Sequence, residues 1–129
     1  MIDLYIEHYS DIAILHIEGK FNIENLSKVE TVWMDLVRRD PRMIAINCLG
    51  LKSMDSTAIG SVVKFFNHAM RHGIRLVFYD LSQILLKLFV TAKLDRYFTI
   101  MSRAEFESRF KVPARSPSCD LSAAKPATI

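Results

Sequence analysis

Cysteine is scarce in this sequence, with two residues in 129. Cys48 lies inside an apolar run, whereas Cys119 lies in a polar stretch near the end of the chain. Two cysteines in such different settings do not predict a structural disulfide. We therefore expect a reduced protein of the cytoplasm.

Long apolar runs are also missing. The apolar clusters at 85–86 and 88–90 are separated by a lysine, whereas a membrane-spanning helix needs about 20 consecutive apolar residues. Residues 2–7 already alternate between apolar and polar side chains, as in a strand, and not as in a signal peptide. We expect neither a signal peptide nor a transmembrane helix, and no direct membrane insertion.

Neither sign of charge dominates the chain. There are 17 Lys and Arg against 14 Asp and Glu, for a net charge of +3, and the two signs are interspersed. Proteins that bind nucleic acid usually gather their basic residues on one face or segment. A nucleic-acid partner is therefore not predicted.

Groups that would support catalysis do not form a recognisable constellation. The four histidines, His8, His16, His68 and His72, lack the spacing of a metal site. The sequence also has no glycine-rich phosphate loop, nucleophile elbow or Cys-x-x-Cys pair. We predict a protein that is not an enzyme, with no catalytic residues, no metal and no cofactor.

What the sequence does contain is a regular succession of strand and helix patterns. Strands are predicted at 2–7, 12–17, 43–49, 75–79 and 97–100, with helices after the second strand, after Ser56, at 83–92 and after Ser102. This order predicts an α/β fold, a single domain over residues 1–110 with a mixed, mostly parallel β-sheet and about four α-helices. The proline-containing residues 111–129 are predicted to form a disordered tail.

The second predicted helix has the clearest apolar periodicity. Gly73 is its predicted left-handed C-terminal cap. The residues expected to face the core are Ile59, Val62, Val63, Phe66 and Met70.

The third predicted helix carries apolar residues on two sides. The side expected to cover the core consists of Ile84, Leu85, Leu88, Phe89 and Ala92. Leu86 and Val90 project from the other side, which indicates a second interface, either with a partner or in a weak homodimer. The alternative is that a flanking segment covers them.

The stretch from 53 to 60 lies where a predicted strand ends and a helix begins. Backbone N–H groups at such a junction lack intrahelical partners, and the helix dipole presents its positive end there. A hydroxyl at this position can carry a phosphate whose charge the helix end tolerates. The simpler alternative is that Asp55 or Ser56 serves only as an N-cap.

The residues of this stretch, together with their surroundings, resemble the STAS domain of bacterial anti-sigma factor antagonists. The resemblance rests on Asp-Ser-Thr-Ala-Ile-Gly at 55–60 after an apolar strand, on Gly73, on Leu-Val-Phe at 76–78 and on Leu-Asp-Arg-Tyr-Phe at 94–98. It spans about residues 1–110 in the same order of elements.

That resemblance implies a switch between protein partners. Members of the family bind an anti-sigma factor that is also a serine kinase, and so release a sigma factor. The kinase phosphorylates a serine, which matches Ser56, and a serine phosphatase reverses the modification. The partner-binding residues implied here are Ser53, Met54, Asp55, Ser56, Thr57 and Ala58.

Two positions depart from the family pattern. Ala58 stands where the motif usually has glycine, and Asn47 stands where the strand often has aspartate. Both departures leave the acceptor hydroxyl in place.

Three other functions remain open. The first is an accessory STAS subunit of a membrane lipid or anion transporter, which docks without phosphorylation. The second is a nucleotide-binding module or enzyme that uses the same loop. The third is a component of a multi-subunit stress-signalling complex, which the second apolar face at Leu86 and Val90 suggests.

Overall fold

The computed structural model describes residues 2–110 and 125–126. Seven strands and four α-helices follow one another as β1 Ile2–Tyr9, β2 Ile12–Phe21, a 3-10 helix Ile23–Asn25, α1 Leu26–Arg38, β3 Met43–Asn47, β4 Leu51–Met54, α2 Ser56–Arg71, β5 Arg75–Tyr79, α3 Gln83–Thr91, β6 Thr99–Met101, α4 Arg103–Phe110 and β7 Lys125–Pro126. No helix in these described ranges is long and apolar enough to cross a membrane.

The strands form one mixed sheet in the order β6-β5-β3-β2-β1-β7, with β4 also paired to β2. β1 and β2 form an antiparallel hairpin, whereas β2, β3, β5 and β6 run parallel. The prediction of a mixed, mostly parallel sheet with four helices is confirmed. The predicted tail falls on residues 111–129, which lie outside the described residues except for β7, so its disorder stays a prediction.

The main core lies between the sheet and the helices α1, α2 and α3. Because side chains alternate across a strand, Leu15, Ile44 and Phe78 point to this face. Trp33 of α1 stacks on Phe65 of α2 with ring centroids 4.7 Å apart. This packing fixes α2, and with it the position of its first turn.

A smaller core occupies the opposite face of the sheet, under α4. Ile14, Ala45 and Val77 point to this side. Phe106 of α4 stacks on Tyr79 with ring centroids 4.2 Å apart, and Ser102 caps the helix through its hydroxyl, which accepts from the N–H of Glu105 at 3.1 Å. The helix predicted after Ser102 is therefore present and holds the second face.

Strand β4 was not predicted. After β3 ends, the chain turns through residues 48–50 and then runs beside the last part of β2, where the Gly19 N–H donates to the Gly50 carbonyl at 2.9 Å. A Cβ on Gly50 would lie 2.7 Å from Cγ of Glu18, so a larger residue here would force the Glu18 side chain to move. Residues 51–54 lack a strand pattern because Lys52 and Ser53, adjacent in sequence, are both polar and exposed.

Two of the predicted helix faces need correction. Met70 is 63% exposed, because α2 packs through a neighbouring stripe consisting of Ala58, Ser61, Val62, Phe65 and Ala69. Ile84 is 76% exposed, because α3 faces the core with Leu85 and Phe89. Leu86 and Val90 do project away from the core and are exposed. No described segment covers them.

Candidate functional site

The candidate site lies at the edge of the sheet where the parallel strands have their carboxyl ends. Here β4 ends at Met54, and α2 begins at Ser56 after a single extended residue, Asp55. In sheets of this kind, function gathers at this edge because loops and helix N-termini converge there. Since β4 lies beyond the end of β3, it carries the start of α2 past the main body of the sheet.

Asp55 is the N-cap of α2 and also ties it to another part of the chain. Its Oδ1 accepts from the Ala58 N–H at 2.8 Å, and its Oδ2 accepts from the Ile23 N–H at 3.1 Å. Its own N–H donates to the Phe21 carbonyl at 3.3 Å. The capping role expected as the simpler alternative is therefore real, and both carboxylate oxygens have partners within the domain.

Ser56, the first residue of α2, is exposed. Ser53 is exposed as well, while Met54 and Thr57 are partly buried. A serine at this position has its hydroxyl near the unpaired N–H groups of the first helical turn. The side chain is thus open to another molecule, on an element that capping holds in place.

The prediction that Ala58 contacts a partner needs correction. Its side chain is fully buried, because the third residue of α2 faces the sheet. Ala58 can contribute to docking only by positioning its exposed neighbours. Its methyl group fills core space and does not narrow the approach to Ser56.

Three exposed apolar side chains lie at the same edge and were missed by the sequence analysis. Ile23 follows β2 and is 66% exposed, Leu49 follows β3 and is 45% exposed, and Ile84 lies in the first turn of α3 after β5. Ile23 and Leu49 share the signal of an apolar residue within two residues of the end of a strand. We call the positions of these three residues and Ser56, all at this edge of the sheet, the carboxyl-end surface.

A network of buried polar side chains lies next to this edge of the sheet. Asn47 Nδ2 donates to His16 Nδ1 at 2.9 Å, and Asn47 Oδ1 accepts from the Leu49 N–H at 3.0 Å. Since His16 Nδ1 accepts, the proton resides on Nε2, which bonds to the Glu7 carboxylate. Tyr9 donates to the same carboxylate at 2.7 Å. Asn47 therefore uses one end of its amide to hold the turn at 48–50 and the other to bond His16 of β2, a structural reason for an amide at this position.

Within the part of the chain that the structure describes, no group of three or more His, Cys, Asp or Glu side chains could hold a metal ion. Burial, with a smaller contribution from the Asp80 charge, raises the pKa of the Cys48 thiol far above its ordinary value, which leaves it protonated and unreactive. The carboxyl-end surface consists of the Ser56 hydroxyl and the apolar side chains of Ile23, Leu49 and Ile84.

Comparison with known proteins gives a family and a set of related folds. The family model described as the STAS domain matches residues 3–106. No curated protein gives a significant match.

Three solved structures illustrate the fold. A proposed anti-sigma factor antagonist from Thermotoga maritima is 18% identical, with a TM-score of 0.75 over 83% of this chain and 93% of that one. The Bacillus cell fate determinant SpoIIAA in its phosphorylated form is 16% identical, with a TM-score of 0.64 over 83% and 98%. A sulfate transporter family protein from Wolinella succinogenes is 15% identical, with a TM-score of 0.67 over 81% and 88%.

Proposed function

The chain belongs to the STAS domain family, and from this premise we propose that it is an anti-sigma factor antagonist. In this proposal the carboxyl-end surface docks on an anti-sigma factor that is also a serine kinase, and a sigma factor is released. Phosphorylation of Ser56 by that kinase switches docking off, and a serine phosphatase restores it. The protein acts in the cytoplasm and catalyses no reaction itself.

The observation that carries the proposal is the exposure of Ser56 at the start of α2. The neighbouring Asp55 uses both carboxylate oxygens within the domain, whereas Ser56 presents an exposed hydroxyl in the first turn of the helix. Ile23, Leu49 and Ile84 add apolar area of the kind that a partner buries.

Electrostatics explains how phosphate would act as a switch. A phosphoserine adds about −1.5 to −2 charges, here beside the Asp55 carboxylate. Burying such a charge in an interface costs on the order of several kcal/mol unless the partner pairs it. About 4 kcal/mol would weaken binding roughly a thousandfold.

The same phosphate would leave the domain folded. It would lie at the N-terminus of α2, where the helix dipole and the free N–H groups favour an anion. The effect would therefore fall on association and not on stability. The existence of a related fold in a phosphorylated form, that of the Bacillus determinant, supports this part of the proposal.

The test begins with incubation of the protein with ATP and candidate serine kinases, followed by mass spectrometry of the peptide that contains Ser56. Calorimetry then measures binding of the kinase to the wild type, Ser56→Ala and Ser56→Asp. We expect Ser56→Ala to bind like the wild type and Ser56→Asp to bind at least tenfold more weakly.

A matched control is available at the opposite edge of the sheet. Ser10 is exposed in the turn between β1 and β2, and Ser10→Asp adds the same charge far from the carboxyl-end surface. It should leave binding unchanged. Equal affinity of the wild type and Ser56→Asp would refute the proposed switch.

A second candidate is a subunit associated with a membrane transporter, which the fold of the Wolinella protein favours. In that case the carboxyl-end surface would dock without phosphorylation. Co-purification of a permease or its ATPase in place of a serine kinase, with no phosphate on Ser56, would select this candidate.

A further inference from the structure

A second surface, away from residues 53–60, lies along the outer edge of the sheet. It is a groove of about 630 Å³ between α3, β6 and the start of α4. We call it the α3–α4 groove, and the lining residues that matter here are Asp80, Leu86, Val90, Asp95, Ile100 and Glu105.

The side chains of α3 that line the groove are apolar, but they are not the ones that pack into the core. Leu85 and Phe89 are buried and attach α3 to the sheet. Leu86 and Val90 lie one helical turn apart, 41% and 51% exposed. Two such residues form a ridge against which a second helix can pack.

The rim of the groove is acidic. Its described lining includes three carboxylates and no lysine or arginine, although the whole chain carries a net charge of +3. The Asp80 carboxylate accepts from Arg103 Nε at 2.7 Å and is largely neutralised. Glu105 lies 3.6 Å from Arg109, and both side chains are half exposed, so this pair is weak. Asp95 is exposed, and these last two carboxylates give the rim its charge.

We propose that the α3–α4 groove binds a basic amphipathic helix of a partner protein. Apolar side chains of that helix, spaced three and four residues apart, pack on Leu86, Val90 and Ile100. Its lysines or arginines meet Asp95 and Glu105. An apolar floor with exposed carboxylates at its rim favours a helix that is apolar on one face and basic at its margins. This surface is independent of Ser56 and of the function proposed above.

A model peptide tests the proposal on the full-length protein. The probe is a Leu/Lys amphipathic helix of about 14 residues, or four turns. Two peptides serve as comparisons: one with every Lys replaced by Glu, and one with a central proline that prevents a helix. We expect the Leu/Lys helix to bind, to shift backbone amide resonances around the groove, and to lose affinity as salt is raised.

Substitutions of residues that line the groove test whether the peptide binds there. Val90→Lys should lower the affinity for the Leu/Lys helix at least tenfold, and Asp95→Lys at least threefold. Met70→Lys is the matched control, because Met70 is an exposed apolar residue on another helix, and it should change nothing. Circular dichroism confirms that each variant is folded.

Several results would overturn the proposal. Equal binding of the Glu peptide would remove the role of charge, and equal binding of the proline peptide would indicate an extended ligand on β6. Resonance shifts confined to other surfaces, or no binding at millimolar peptide, would exclude the groove. A dimer in sedimentation that Val90→Lys abolishes would assign the groove to a second copy of this chain.

Discussion

Replacing Asp55 by alanine removes two hydrogen bonds that belong to different parts of the fold. One oxygen caps α2 through the Ala58 N–H at 2.8 Å, and the other accepts from the Ile23 N–H at 3.1 Å. Loss of an N-cap costs about 1 kcal/mol, and loss of a hydrogen bond to a charged group at an exposed position costs about another 1 kcal/mol. Asp55→Ala should therefore lower the free energy of unfolding by about 2 kcal/mol.

Asp55→Asn separates the two contributions. Its amide oxygen keeps the bond to Ala58, but its NH₂ group cannot accept from Ile23. We expect a loss of about 1 kcal/mol, half that of alanine. Asp3→Ala, at an exposed position on β1, controls for the removal of a carboxylate and should cost less than about 0.5 kcal/mol.

Urea unfolding followed by the fluorescence of Trp33, the single tryptophan, measures these differences. Hydrogen exchange adds a residue-level readout. In Asp55→Asn only the Ile23 amide should exchange faster, and in Asp55→Ala the Ala58 amide should do so as well. Equal losses in the two variants, or a loss below about 0.5 kcal/mol for alanine, would refute the assignment of two separate bonds.

The remaining predictions concern a pair of glycines and a histidine. Gly60→Ala should stabilise the fold by about 0.5 to 1 kcal/mol, because a Cβ there meets nothing within 4 Å and glycine weakens a helix interior. Gly73→Ala should destabilise it by about 1 kcal/mol, because its φ of +69° is unfavourable for alanine; thermal melts that rank the two variants the other way would contradict both. Trp33 Nε1 donates to His68 Nδ1 at 3.0 Å, and burial first and His72 second lower the pKa of His68. A lowered pKa means that the unfolded chain binds the proton more readily, so this contribution should be complete above about pH 6.5 and be lost as the pH falls below it. The stability advantage of the wild type over His68→Gln, measured by urea unfolding, should therefore shrink from about pH 7.5 to about pH 5, and an advantage equal at both would contradict this interpretation.

Much of the fold could be predicted from the sequence because its strongest patterns are local. The alternation at 2–7 and the apolar run at 12–17 predicted β1 and β2, and the run at 75–79 matched β5 at both ends. Gly73 has the positive φ that a left-handed cap requires. Each of these features follows from the conformational preferences of a few adjacent residues.

The features that could not be predicted depend on contacts distant in sequence. β4 has only Leu51 buried and exists because β2 extends past the end of β3 and leaves an edge to pair with. The packed stripe of α2 is set by Trp33 of α1, which selects Phe65 and leaves Met70 in solvent. Periodicity identifies a helix but places its buried face only within one row of side chains.

The sequence predicted the start of α2 but not the residues that surround it. The motif at 55–60 identified the start of α2, and Asp55 proved to be its cap. Ile23, Leu49 and Ile84 come from three different connections, and only the sheet brings them to one edge. Ala58 was misplaced because adjacent residues of a helix point in different directions.

The two hydrogen bonds of the Asp55 carboxylate affect how a modifying enzyme would recognise Ser56. Many modified serines lie in flexible segments, which the modifying enzyme binds in an extended conformation and recognises by their local sequence. Here Ser56 lies at the start of α2, next to Asp55, whose two hydrogen bonds hold this corner of the domain in place. An enzyme acting on Ser56 would recognise the surface of the folded domain. A short synthetic peptide of residues 50–62 should therefore be a far poorer substrate than the intact domain.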